Sequence, residues 1–194
     1  MNKKLIVLAL TASAITSASA FAADGGQLNI SGLVSDETCD LRVNGGARDG
    51  LISLKTATVS EVTTAGEVSA TAVGAKAEPF SITVDCSAAG GTPAKTNSAL
   101  TMSSVFFSNS KGTLNNDTSV DTPATGTTVA IHEVSDTGTY KQVLINNPTD
   151  IHTKAFTENV AVYNFTASYV KSDSVTPVGG GFVKTNAAYT VTYN

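Results

Sequence analysis

The sequence predicts an all-β sandwich, and three observations lead there. Apolar residues recur at every second position rather than at helical spacing, clusters of Gly, Asn and Asp separate the alternating runs, and no later run is long enough for a membrane helix. Charged residues make up only 14% of the chain while Gly totals 16, a balance that suits short strands and tight turns over long amphipathic helices.

The first segment, however, reads as an export signal. Met1, Asn2, Lys3 and Lys4 precede an apolar run and a small-residue tail, the pattern of a secretory signal peptide. Ala20-Phe21-Ala22 places cleavage after Ala22, with cleavage after Ala20 as the alternative, so residues 1–22 are expected to be removed. From Gly26 onward Leu28, Ile30, Gly32 and Val34 share the even face, whereas Cys39, Leu41 and Val43 occupy the odd face. Side-chain direction along a strand has a strict period of two, so one straight strand cannot carry both sets. Two segments are expected: an arm over 23–36, then a single domain over 37–194 whose first strand begins at Cys39.

Within the domain the clearest strand places Phe80, Ile82, Val84 and Cys86 on one face and Ser81, Thr83 and Asp85 on the other. Further strands are expected over 100–107, 127–134, 140–145, 160–170 and 187–193. Turn signals stand between them at Asn44-Gly45-Gly46, Ala89-Gly90-Gly91, Asn115-Asn116-Asp117, Asp136-Thr137-Gly138, Asn147-Pro148 and Gly179-Gly180-Gly181. The Ala-rich stretch 60–76 permits a helix, but Thr63, Thr64 and Gly66 argue for a loop. Residues 87–99 form a polar segment with no evident role. Strands of this length and spacing indicate an immunoglobulin-like sandwich with no internal repeat and no linker.

Cys39 and Cys86 are the two cysteines, and an even count in an exported chain favours one disulfide over two free thiols. Closing a loop of about fifty residues, such a bridge stabilises by roughly 3–4 kcal/mol. A formal net charge of −4 without a Lys or Arg cluster excludes a nucleic-acid track. His132 and His152 read as surface or satisfied core residues rather than ligands. The chain has no Gly-x-Ser-x-Gly, no His-Glu-x-x-His, no phosphate loop and no Cys-x-x-Cys. Asp117, Asp121 and Asp136 do not form a calcium loop, and the glycosylation triplets at Asn29, Asn116 and Asn164 read as chance. No enzyme, cofactor, metal or small-molecule substrate is expected.

The arm, Gly26-x-Leu28-x-Ile30-x-Gly32-x-Val34 followed by Cys39, is similar to the donor strand of the chaperone-usher pilins, the family of type 1 and P pilus subunits. Cys86 closing an alternating strand resembles that family too, as does a C-terminus in which Gly181 lies fourteenth from the end and Tyr189, Val191 and Tyr193 alternate. Leu33 beside Val34 departs from the pattern and leaves the arm's register open. The resemblance implies a sandwich lacking its last strand. It also implies a surface fimbria built from copies of this chain and other pilin subunits, exported through the periplasm. A periplasmic chaperone would fill the groove until an outer-membrane usher brings another subunit, whose arm replaces it. Burying Leu28, Ile30 and Val34 in a neighbour would contribute roughly 5–8 kcal/mol before ordering costs. Gly32 would pass a crowded point of the groove, a flexible strand glycine being the plainer alternative. Gly181, Tyr189, Val191, Tyr193 and the carboxylate of Asn194 would form the edge the chaperone recognises. The length suits a shaft subunit better than a two-domain tip adhesin, with a minor adaptor as the alternative. The rival outside the family is a secreted, non-polymerising sandwich such as a carbohydrate-binding module, for which a chain without Trp has few aromatic platforms.

Overall fold

A computed structural model describes residues 39–88 and 96–193. Nine strands and one helix follow in the order β1 (Asp40–Val43), α1 (Val59–Ala65), β2 (Ala75–Asp85), β3 (Asn97–Ser103), β4 (Leu114–Asn115), β5 (Thr127–Val134), β6 (Tyr140–Gln142), β7 (His152–Ala155), β8 (Val160–Lys171) and β9 (Ala188–Tyr193). The larger sheet runs β1-β2-β8-β5, with β4 and β6 both on the far edge of β5, and the smaller runs β7-β3-β9. Every ladder between these strands is antiparallel.

The alternation that marks the strands also fills the space between the sheets. Phe80, Ile82 and Val84 of β2, with Ala161, Tyr163 and Phe165 of β8, face Leu100 and Met102 of β3 and Val191 of β9. Phe165 stacks against Phe80 with ring centroids 5.5 Å apart and against Tyr163 at 6.1 Å. A buried phenol needs a polar partner, and the Tyr163 hydroxyl finds it in Ser98 Oγ of the opposite sheet, 2.7 Å away. That bond ties the two sheets together through the core. Burial raises the Tyr163 pKa above its ordinary value, which keeps that hydroxyl neutral.

The stretch expected to be a loop contains α1. Thr58 caps it, accepting from the Glu61 N–H while the Glu61 carboxylate accepts from the Thr58 N–H, and Gly66 ends it at φ 73°. The sequence thus carried a Thr-x-x-Glu start signal and a glycine stop, and Gly66 terminates the helix instead of preventing it. Lys76, pairing with Glu61, holds that carboxyl down to about 2. Beyond α1 the chain lies over the outer face of the larger sheet. Gly74 N–H donates to Ser168 Oγ at 2.9 Å, Lys171 N–H to the Gly66 carbonyl at 2.7 Å, and His132 Nε2–H to the Ser69 carbonyl at 2.8 Å. The polar outward residues His132 and Ser168 are buried for this reason.

Several boundaries differ from expectation. β3 starts at Asn97, inside the polar segment, and stops at Ser103, because Asn146 captures the backbone of Ser104 and turns the chain. β6 ends at Gln142, although Val143 and Ile145 continue into the core. β7 carries too little apolar alternation to have been foreseen. The Ala89-Gly90-Gly91 turn lies outside the described residues.

Candidate functional site

β9 presents Tyr189, Val191 and Tyr193 to the core side, while Ala188, Thr190 and Thr192 are exposed. It pairs with β3 from Ser98↔Tyr193 to Ser103↔Ala188. On its other side, among the described residues, no strand is laddered to it. What reaches across is a pair of phenols: the Tyr193 hydroxyl accepts from Cys39 N–H at 3.3 Å, and the Tyr189 hydroxyl donates to the Arg48 carbonyl at 2.7 Å. Burial raises the Tyr189 pKa, with Arg48 pulling the other way, so it stays a donor.

The segment these phenols reach begins at β1. After Val43 the chain turns through Asn44 at φ 50° and Gly45 at φ 71°, and Gly50 then passes against Val43 so closely that a Cβ would meet Val43 Cγ1 at 2.3 Å. Residues 51–58 then run without helix or ladder assignment, with Ile52 and Leu54 packed against the core and Leu51, Ser53 and Lys55 exposed. Directly paired strands lie about 4.7–4.9 Å apart. Here the contact is made by the ends of two tyrosine side chains and not by a backbone ladder. Both β9 and residues 51–58 turn apolar side chains toward the core.

The Cys39–Cys86 disulfide anchors the start of this wall to the end of β2, with Cα atoms 4.3 Å apart and Asp40 paired to Asp85 beside it. Gly181 lies upstream of β9, and a Cβ there would come 2.4 Å from the Thr122 carbonyl oxygen. Its place is explained by two backbones passing closely, which leads residues 182–187 toward β9. Gly26, Leu28, Ile30, Gly32, Val34 and Asn194 lie outside the described residues. The structure thus brings Cys39 and Cys86 together with Tyr189, Val191 and Tyr193, and adds Arg48, Ile52 and Leu54, which sequence reasoning missed. Their signal was the short alternation Leu51-Ile52-Ser53-Leu54-Lys55.

At the other side of the sandwich His152 is almost wholly buried. Its Nδ1 lies 2.6 Å from Glu133 Oε2 and its Nε2 3.1 Å from Asp150 Oδ2, while Lys141 Nζ donates to Asp150 Oδ1 at 3.0 Å. Burial alone would push the Asp150 pKa up; the Leu144 N–H, Lys141 and His152 together outweigh it and hold the carboxyl below its ordinary value. Nucleophilic catalysis of the serine type needs a hydroxyl on one imidazole nitrogen. Both nitrogens here are taken by carboxylates, so this histidine activates no nucleophile.

A family profile described as fimbrial protein matches residues 28–194. The chain belongs to the fimbrial protein family. Among curated proteins none matches. Of solved structures, the fimbrial protein is similar to a subunit from a chaperone-usher pilus studied for rod uncoiling, at 19% identity and TM-score 0.60, over 89% of this chain and 97% of that one. It is also similar to the P pilus rod subunit PapA, at 18% identity and TM-score 0.56, over 80% of this chain and 99% of that one. These likenesses bear out the immunoglobulin-like pilin fold. The fimbrial protein is a structural subunit of a surface pilus and not an enzyme, and the rival carbohydrate-binding reading is not favoured.

Proposed function

We propose that the subunit polymerises by donor-strand exchange. The observation that carries this reading is the edge of β9, which among the described residues is laddered on one side only and joined to Cys39 and Arg48 by two tyrosine hydroxyls. An extended segment entering there gains ladder hydrogen bonds, each worth about 0.5–1.5 kcal/mol net, and a dry face for alternate side chains. The arm over 23–36 supplies such a segment, with Leu28, Ile30 and Val34 facing inward and Gly32 at the narrowest passage. Before assembly a periplasmic chaperone covers the same edge and holds β9 through Tyr189, Val191, Tyr193 and the Asn194 carboxylate. Gly181 contributes indirectly, through the passage that leads the chain into β9. An outer-membrane usher then passes the subunit, freed of residues 1–22, to the growing fibre.

Two variants test the reading. Gly32→Trp is expected to leave the chaperone-bound subunit folded and to abolish polymer; normal fibres would show that position 32 is not confined. Tyr193→Ser is expected to lower both co-purification with a tagged chaperone and periplasmic subunit levels, because an uncovered edge invites aggregation and degradation. Equal recovery would remove β9 from chaperone recognition.

A further inference from the structure

The outer face of the larger sheet is covered over one row of residues and open over the next. Ser69 and Ala70 lie over the row of His132, Thr166 and Gln142, where His132 Nε2–H donates to the Ser69 carbonyl and Gln142 N–H to the Ala70 carbonyl, both at 2.8 Å. In the neighbouring row on the same face Asn44 and Asn164 are exposed. That row crosses the strands: Asn44 N–H donates to the Ser81 carbonyl at 2.9 Å, Ser81 pairs with Asn164, and Val134 on the other side of β8 pairs with Tyr140. With Pro79 these residues line a trough of about 460 Å³, within the usual size range of ligand sites.

The polar groups in this trough are not spent on the fold. Asparagine is depleted in strands, and elsewhere in this chain its amide ties loops: Asn109 donates to Thr113 and Asn115, Asn116 to the Ala124 and Phe182 carbonyls, and Asn146 to the Ser104 carbonyl. Asn164 stands inside β8 between buried Tyr163 and Phe165 and ties nothing. Among the described residues its amide makes no hydrogen bond, nor do Ser81 Oγ and the Tyr140 hydroxyl, and the Asn44 amide uses only its oxygen, accepting from Ser81 N–H at 2.9 Å. Three strands and one turn therefore bring unused donors and acceptors to a single concavity.

The lining decides which class of ligand fits. No Asp, Glu, Lys, Arg or His lines the trough, so it lacks the charge that a phosphate, a carboxylate or a metal ion calls for. An added peptide strand needs an open sheet edge, whereas β2 and β8 are each laddered on both sides. A sugar hydroxyl both donates and accepts, as the amides and hydroxyls here do, and the bodies of Tyr140 and Pro79 offer apolar surface to the ring carbons. From Asn44 to Tyr140 the row crosses four strand spacings, roughly 19 Å, which is longer than one sugar ring. We propose that the trough binds a neutral oligosaccharide laid across the strands, with the Asn164 amide at its centre and Tyr140 at one end. The site belongs to the larger sheet and makes no use of the β9 edge or of a donor strand. Every copy along a fibre carries it, so a weak single contact gains strength by repetition.

The test measures equilibrium binding of maltotriose, cellotriose, mannotriose and chitotriose to purified fibres, with sialyllactose as the charged control. At least one neutral sugar is expected to saturate in stoichiometric proportion to the subunit, which separates a site on the fibre wall from one on a tip component. Asn164→Ala is expected to weaken that binding about tenfold and Tyr140→Phe about threefold. Both variants are expected to leave fibre yield unchanged, since neither polar group bonds within the described residues. Failure of all four neutral sugars to bind stoichiometrically overturns the proposal, and so does tighter binding of sialyllactose than of any of them. Stoichiometric binding that neither variant weakens overturns it as well, by placing the sugar elsewhere on the subunit.

Discussion

The two long sides of the sandwich are closed by different chemistry. Where β7 meets β5 and β6, His152 lies between the carboxyls of Glu133 and Asp150, and Lys141 donates to Asp150. Where β9 faces residues 39–58, neutral phenols touch backbone groups. Buried charge-assisted bonds are strong and cannot be vacated without stranding a charge. A neutral phenol bond is worth about 1 kcal/mol and exchanges readily with another partner. One seam is ionic and the other neutral, and the donor-strand proposal requires that division, because it has the β9 edge receive one strand and later another.

The comparison breaks most visibly at His152. His152→Ala leaves two carboxylates facing each other without an N–H between them and is expected to cost about 3–5 kcal/mol, read from urea denaturation of the purified subunit. Replacing both Cys39 and Cys86 by Ala is expected to cost roughly 3 kcal/mol by the same measurement, loosening the wall opposite β9.

Asp150→Asn sharpens the contrast through pH. In the fold this carboxyl titrates below its ordinary value of about 3.9. Its contribution is therefore present above that range and lost as the pH falls through the lower folded value. The variant is expected to lose about 2 kcal/mol at pH 7 and to show a shallower loss of stability toward pH 3. Tyr189→Phe and Tyr193→Phe should each cost only about 0.5–1.5 kcal/mol. If either phenol variant matched His152→Ala, the neutral side would be as permanent as the ionic one.

Much of this was legible in the chain because strands announce themselves by alternation. Phe80 to Cys86 and Tyr189 to Tyr193 were read correctly since their inward residues are apolar and regularly spaced. The ionic seam was not legible: His152, Asp150 and Glu133 come from separate elements, and nothing local marks a histidine as buried between carboxylates. α1 was missed for the opposite reason, since its cap signal at Thr58 and Glu61 was plain but Gly66 was weighed as a breaker. The wall at Ile52 and Leu54 lacked length, its alternation ending within five residues.

A fibre on a surface is pulled along its length, and the disulfide decides how the subunit yields. Force arriving at residue 39 crosses directly to Cys86 and on into the remainder of the chain, bypassing the 47-residue separation between them. That loop cannot be paid out, which withholds on the order of 160 Å of extension at about 3.5 Å per residue. Arg48, Ile52 and Leu54 all lie inside it. The wall beside β9 is thus mechanically sheltered, and keeps its covalent tether under a load that unravels strands elsewhere.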